Sequence, residues 1–421
     1  MTEYFDVIVI GGGLAGLAAA RTARLGGASV VVLEAHGGGG RARTTTKDGF
    51  SFNLGGHALY IGGAGGEALA ALSIRPEGSP PPLGRYQLLK EGRMGVMPST
   101  AGTLARCGLL SWRSKAQLGS ALARLAKIDA SRLAGTSMEQ WMQNLELHSD
   151  VEDVIRALVR LSTYSADMSA LGADAGVAQL QLGASSGVLY LHGGWGQLLA
   201  AFGAGQEVRI HCPVRALREE AGRIEVQLDN GSLVGGSAVV AVGGPGATAR
   251  LLPGSIDWGE LGGPVTAACL DAAVDHHPAP GYVLSLDRPL YASTQGPPAR
   301  LAPPGAAVMS VVKYGTGSPD VDRAELETHM RVAGVTIEGV LHQRFLATMV
   351  VAETSCRAEL GGLEGRPSIS ATGVPGAFMA GDWVGPAGLL AGASIASGHA
   401  AGLAALRHIT TTASRQARNS T

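Results

Sequence analysis

Residues 5–34 read FDVIVIGGGLAGLAAARTARLGGASVVVLE, and this stretch decides the fold. Residues 5–10 are a short apolar, β-branched run, the pattern of a strand buried on both faces. The run ends in Gly11-Gly12-Gly13-Leu14-Ala15-Gly16; residues 17–25 then read as helix and residues 29–33 as a second buried strand. Strand, turn, helix and strand in that order predict parallel pairing. Gly11, Gly13 and Gly16 form a G-x-G-x-x-G turn. Its glycines permit a sharp bend, close approach of backbone N–H groups to a pyrophosphate, and tight packing of helix on strand. Leu14 and Ala15 open the helix, where roughly half a positive charge gathers beside the phosphates. Glu34, followed by Ala35, ends the second strand 18 residues after Gly16. A carboxylate there accepts hydrogen bonds from a ribose 2′-OH and repels a 2′-phosphate, so the reading is dinucleotide binding of the FAD or NAD kind, not NADP.

Composition agrees with an enzyme-sized globular protein. The chain has 421 residues, 46% hydrophobic and only 16% charged, with 63 Gly and 20 Pro. That excludes a largely disordered chain, and the absence of a Gly-x-y period excludes collagen. Lys plus Arg (33) balances Asp plus Glu (34), so no global field recruits nucleic acid. The four cysteines, Cys107, Cys212, Cys269 and Cys356, are far apart and read as buried thiols, and no metal-ligand spacing is present. The acidic start, Met1 to Asp6, runs straight into the first apolar strand, which reads as a cytoplasmic protein without a secretory signal. Two stretches imitate membrane segments. Residues 386–406 are long enough to span and contain Gly398-x-x-x-Gly402, but are built from Ala, Gly and Ser and read as a buried soluble helix. Residues 100–135 set Arg106, Arg113, Lys115, Arg124, Lys127 and Arg132 against one acid, Asp129, with Leu118, Leu122 and Leu125 as an apolar stripe. A basic amphipathic helix can lie on an anionic membrane. The preferred reading here is a solvated basic face with the stripe on the core.

Further along, residues 86–97 read as a hairpin turning at Glu91-Gly92, and residues 99–163 as helical, with Thr136 and Glu139 spaced as a capping box. Strands return at 207–210, 214–220, 223–228 and 238–242, with Asp229-Asn230-Gly231 as a turn. Others follow near 265–274, 282–286, 307–314 and 345–351, with a helix at 322–332. The chain closes on strand 377–380, Gly381-Asp382 and a long helix. The expected α/β architecture is a discontinuous Rossmann-like dinucleotide-binding domain (1–63, 193–262 and 352–409). A second, substrate domain of mixed β-sheet and helices covers 64–192 and 263–351, with a helical part at 99–165 and a disordered tail at 410–421.

Six residues after Glu34 comes Gly40-Arg41-Ala42-Arg43-Thr44, preceded by Gly37 to Gly39. Together with the first fingerprint, this Gly-Gly-Arg-x-x-Thr sequence resembles the FAD-binding amine oxidase and phytoene desaturase superfamily. Three more stretches share the resemblance: Asn53-Leu54-Gly55-Gly56-His57, Cys212-Pro213-Val214, and Gly381-Asp382-Trp383 with Gly388-Leu389-Leu390. The resemblance implies non-covalent FAD. It places the backbone of Gly55, Gly56 and His57 along the flavin, the Val214 main chain at the adenine, Asp382 at the ribityl chain or diphosphate, and the helix after Gly388, Leu389 and Leu390 at the flavin pyrimidine.

The chemistry the resemblance implies is hydride transfer from a substrate carbon to flavin N5, with molecular oxygen or another acceptor reoxidising the flavin. Two features usual in the amine oxidases are missing. The strand placed at 265–269 has no lysine, Lys313 on a later strand being a weak substitute, and Leu389 stands where an aromatic cage residue is expected. That favours an apolar small-molecule substrate and a desaturase-like reaction. His57 and Trp195 are the catalytic candidates, ahead of Tyr164, Tyr190 and His192. The rivals are a flavin amine oxidase with an atypical pocket and a non-catalytic escort protein of the same architecture. A homodimer is compatible with the sequence.

Overall fold

Strand Glu3–Ile10 is the spine of the first sheet. It pairs in parallel with Val30–Leu33 on one side and with Leu233–Val242 on the other. Glu207–Arg209 extends the parallel set beyond Val30–Leu33, and Ala377–Ala380 pairs with the C-terminal half of Leu233–Val242. Val214–Glu220 and Arg223–Leu228 complete it as an antiparallel meander. The structure is a computed structural model that describes residues 3–220, 222–254 and 256–419. Three stretches remote in sequence, 3–33, 207–242 and 377–380, thus build one sheet.

One face of this sheet packs on helix Leu14–Leu25, helix Gly196–Gly203 and the final helix Leu390–Asn419; the other face buries Trp383, Leu252 and the apolar side of the meander. Val7, Ile8, Val9, Val31 and Val32 are wholly buried, which explains the continuous apolar runs. The second lobe is a seven-stranded sheet in the order Val340–Ala352, Val265–Val274, Ala307–Tyr314, Leu290–Gly296, Tyr282–Ser285, Gln87–Lys90, Arg93–Val96. One face of it packs on the helical region ending at Ser186, the other on helix Pro319–Val332.

Several local expectations shift on inspection. The capping box lies one residue further on: Ser137 accepts from Gln140 N, and the Gln140 side chain accepts from Ser137 N. Strand Leu290–Gly296, wholly buried, was invisible because LYASTQG has neither alternation nor an apolar run; its partners on both sides impose it. The polar tail expected to be disordered from Thr410 continues the final helix to Asn419, with Thr410, Thr411 and Ser414 hydroxyls donating to carbonyls one turn back. Residues 420–421 lie outside the described residues.

The membrane-like segment 386–406 is spent on helix packing. A Cβ at Gly398 would lie 2.2 Å from the Ala15 carbonyl oxygen, and one at Gly402 2.6 Å from that of Ala19, so the first and last helices touch backbone to backbone. No helix among the described residues is long and apolar enough to cross a membrane. Gly398→Ala should therefore lower the unfolding free energy by about 3 kcal/mol. Gly203→Ala, in a helix where a Cβ meets nothing within 4 Å, should leave it unchanged or raise it by up to about 1 kcal/mol in urea denaturation.

Candidate functional site

The glycine turn sits at the C-terminal edge of the parallel strands. Gly11 has φ +113°, and a Cβ there would lie 2.5 Å from the Val242 carbonyl oxygen; a Cβ at Gly16 would lie 1.9 Å from that of Gly11. Gly13 faces open space. Helix Leu14–Leu25 has no side-chain cap and no acid in its first turn, so its N-terminal N–H groups and dipole face outward uncompensated. Glu34 braces the turn: its carboxylate oxygens accept from Gly12 N and His36 N, both at 2.7 Å.

From here a cavity of about 540 Å³ runs past Arg41 and Asp382 to Tyr60 and Tyr164. Arg41 donates two bonds to the Asp382 carboxylate (2.8 and 3.0 Å) and one to Val351 O (2.9 Å). Asp382 is buried and also accepts from Glu353 N at 3.1 Å. Burial pulls the Arg41 pKa down, but Asp382 and then Glu353 outweigh it and hold the guanidinium above its ordinary value. Burial, against the pull of Arg41, raises the Glu353 carboxyl. Arg366 holds the C-terminal segment by donating to Asp382 O and Gly388 O, both at 2.8 Å. The final helix starts at Leu390 (φ +54°), with Ala391, Gly392 and Ser394 on the cavity wall.

Of the residues expected at the cofactor, Gly11, Gly13, Leu14, Ala15, Glu34, Gly40, Arg41, Gly56, His57, Gly381, Asp382 and Leu390 line this one cavity. The others do not. Gly16 is consumed by helix–strand packing, while Ala35 and Arg43 are exposed. Val214 begins its strand beyond Cys212, whose N–H bonds Glu34 O. Gly388 shapes the turn into the final helix, and Leu389 packs on the second lobe's core. Gly55 turns its N–H toward Asp271 (3.3 Å). That buried carboxylate also accepts from Ser310 (2.7 Å) and Arg344 (2.5 Å), and Arg344 donates to Asn53 O, so strand Val265–Val274 grips loop 53–57 from behind. Burial, reinforced by Asp271, pushes the neighbouring Cys269 thiol well up.

His57 and Trp195 stand edge to face at 5.0 Å on the cavity wall. His57 Nδ1 lies 2.9 Å from Gly55 O and Nε2 3.2 Å from Arg41 O, so both ring nitrogens face backbone carbonyls. Burial lowers its pKa, opposed by those carbonyls. Trp195 N donates to Asn53 Oδ1 at 2.9 Å, whereas its buried Nε1–H has no partner. Lys313 is turned to the far side of its sheet, paired with Asp322 (2.6 Å) and Glu325 (2.7 Å), and does not stand in for a lysine at the site. Tyr190 is buried in a hydroxyl cluster with Tyr86 and Tyr291, and His192 accepts from Arg300 N.

Sequence reading passed over Tyr60, Leu346, Met349, Glu353 and the Gly243-Gly244 pair, all on the wall. Gly243-Gly244 follows an apolar strand as Gly11-Gly12 does, a usable signal; Tyr60, Leu346 and Met349 sit on strands whose pairing alone decides which way they face, and Glu353 lies just past the end of one. The donor set fits a flavin dinucleotide: a carboxylate at one end, a bare helix N-terminus with Arg41 in the middle, an orphaned indole N–H, and a second helix N-terminus beside an apolar end. Burial raises the Tyr60 phenol to about 12, and raises that of Tyr164, whose OH donates to Gly56 O at 2.7 Å.

Residues 14–258 match the family model described as flavin containing amine oxidoreductase. Among curated proteins no sequence match is found. An oxidoreductase from Methanosarcina mazei is similar in fold at 18% identity and TM-score 0.71, over 95% of this chain and 100% of that one. A putrescine oxidase bound to putrescine is similar at 16% and 0.72, over 96% and 99%. Cyclohexylamine oxidase from Brevibacterium oxydans IH-35A is similar at 15% and 0.71, again over 96% and 99%.

Arg41→Ala leaves the buried Asp382 carboxylate without its cation and should cost about 2 kcal/mol or more of stability in denaturant titration, with Arg41→Lys recovering only part. His57 supplies a pH test. Its folded pKa is lowered from 6.5, so the unfolded chain takes up the proton first as pH falls. Its contribution is full above about 6.5 and is lost progressively below it. His57→Gln should flatten the decline in stability between about pH 7 and pH 5 by up to about 1 kcal/mol, measured as the difference in slope from wild type.

Proposed function

Because the chain belongs to the flavin containing amine oxidoreductase family, we propose that it holds FAD non-covalently along the cavity and oxidises an apolar small molecule at the cavity's uncharged end. The observation that carries this reading is the distribution of charge on the wall. Its carboxylates and guanidinium, Glu34, Arg41, Glu353 and Asp382, belong to the glycine turn and the Arg41–Asp382 junction, while the far end is made of Leu54, Tyr60, Tyr164, Leu346, Met349 and Leu390. Burial of an ammonium there would go without a paired carboxylate, a costly arrangement. No cysteine is among the wall residues, in keeping with a non-covalent cofactor.

When bound, the flavin supplies a hydride acceptor at N5 and returns the electrons to oxygen or another acceptor. The chain's own residues do the rest. Glu34 has carboxylate lone pairs left for ribose hydroxyls. The first-turn N–H groups of helix Leu14–Leu25, together with Arg41, hold the diphosphate. The final helix directs its positive end into the cavity, favouring negative charge on the ring system. Leu346, Met349 and Leu390 exclude water and seat the carbon skeleton. Tyr60 and Tyr164 stay protonated and uncharged at any working pH. His57, with both nitrogens on carbonyls, fixes loop 53–57 and the Trp195 ring.

A second reading draws on the two tyrosines. Their rings could receive an amine by cation–π contact without any carboxylate. Anaerobic titration of the purified holoprotein, followed by flavin absorbance, separates the two. Polyenes or cyclic ketones should bleach the flavin while primary and secondary amines leave it oxidised. Bleaching by amines alone, with hydrogen peroxide released in air, would overturn the apolar reading in favour of the amine one.

A further inference from the structure

The structure assigns a peripheral docking face for an anionic lipid bilayer to the basic helix Trp112–Leu125 and the turn that follows it; this is our proposal, and it stands apart from the reading of the cavity. Residues 92–128 carry six cations, Arg93, Arg106, Arg113, Lys115, Arg124 and Lys127, and no acid, within a chain whose formal net charge is −1. The remainder therefore carries seven more negative than positive charges. A balanced total thus hides a strongly basic segment.

The apolar stripe expected on this helix is where the sequence put it, on the core: Leu118 and Leu125 are buried, and Leu122 packs against them. The helix therefore has no apolar face left to insert. Its outward arc is what matters. At 100° per residue, Trp112, Ala116, Ser120, Ala123, Arg113 and Arg124 fall within about 120° of one another, and all six are exposed. Lys127, just past the helix end, continues the arc. Between its cations and Trp112 the face carries only Ala and Ser. Trp112 stands at its tip, 75% exposed, with the Arg113 guanidinium 5.3 Å from its ring centre. None of Arg93, Arg106, Arg113, Arg124 and Lys127 forms an ion pair among the described residues, so their charges are free for an external partner.

Charge complementarity selects an acidic surface, and the exposed indole among cations selects a bilayer interface, where Trp settles at the headgroup level and each basic side chain adds to the attraction. The face is also mechanically close to the cavity. The Gln181 amide donates to Leu125 O (2.7 Å) and Ile128 O (2.8 Å), and two residues on, Gly183 lies against the Tyr60 ring on the cavity wall.

Vesicle co-sedimentation of the full-length flavin-loaded protein tests this. It should pellet with phosphatidylcholine vesicles containing about a quarter phosphatidylglycerol, not with phosphatidylcholine alone, and be released by about 0.5 M salt. Arg113→Glu/Arg124→Glu and, separately, Trp112→Ala should each weaken partitioning by about tenfold or more. Being exposed, these substitutions should leave the thermal midpoint and flavin content unchanged. No pelleting with anionic vesicles would overturn the proposal, as would equal pelleting of wild type and the double charge reversal. Retention on duplex DNA, abolished by the same reversal and without vesicle binding, would overturn it in favour of nucleic acid.

Discussion

Two side chains 341 residues apart, Arg41 and Asp382, meet as a bidentate pair, and the rest of the site is arranged around that meeting. The carboxylate is buried and the guanidinium half-exposed. The carboxylate is not tenable alone, since an unpaired buried charge carries a heavy desolvation cost. The pair fastens the segment after the glycine turn to the one before the final helix. It also reaches the second lobe through Val351 O and Glu353, at the end of strand Val340–Ala352. One ion pair thus joins the three parts of the chain that enclose the cavity.

The glycine and alanine content has a mechanical meaning in this setting. The first and last helices approach so closely that Ala15 and Ala19 carbonyls occupy the places where side chains would stand on Gly398 and Gly402. Close approach carries the N-termini of both helices to the same cavity, one at Leu14 and the other at Leu390. Two positive helix ends converging on one space suit a ligand that is anionic at its middle and gains negative charge at one end. The composition that imitates a membrane span is what these two helices need for backbone contact.

The second lobe brings mostly uncharged side chains to the cavity. Its wall residues on strand Val340–Ala352 and at the C-terminus of helix Ser149–Thr163 are uncharged, and the one wall carboxylate next to them, Glu353, lies past the strand's end at the Arg41–Asp382 junction. Its polar investment lies behind the wall, in Asp271, Ser310 and Arg344, which hold loop 53–57 in place. The basic helix lies on the outer surface of the same lobe, with its apolar stripe already spent on the core. Charge is thus kept off the cavity's far end and collected on the outside.

The sequence alone determined the parallel-sheet lobe. A parallel strand buried on both faces must be a continuous apolar run, and a turn packed backbone to backbone on strand and helix must be glycine, so the fold of the first 34 residues could be read without coordinates. It also determined the exposed and buried sides of the helix at Trp112, because helical periodicity is local. What it could not determine was which face of a central antiparallel strand meets the cavity. Met349 and Leu346 look like any core residues until strand pairing orients them, and Leu290–Gly296 is a strand only because its neighbours make it one. The contacts of His57 and Lys313 are likewise tertiary: the His57 ring meets Trp195, and Lys313 meets Asp322 and Glu325 on the helix packed against the back of its sheet. Local rules fix what a segment can be; long-range pairing decides what each of its side chains touches.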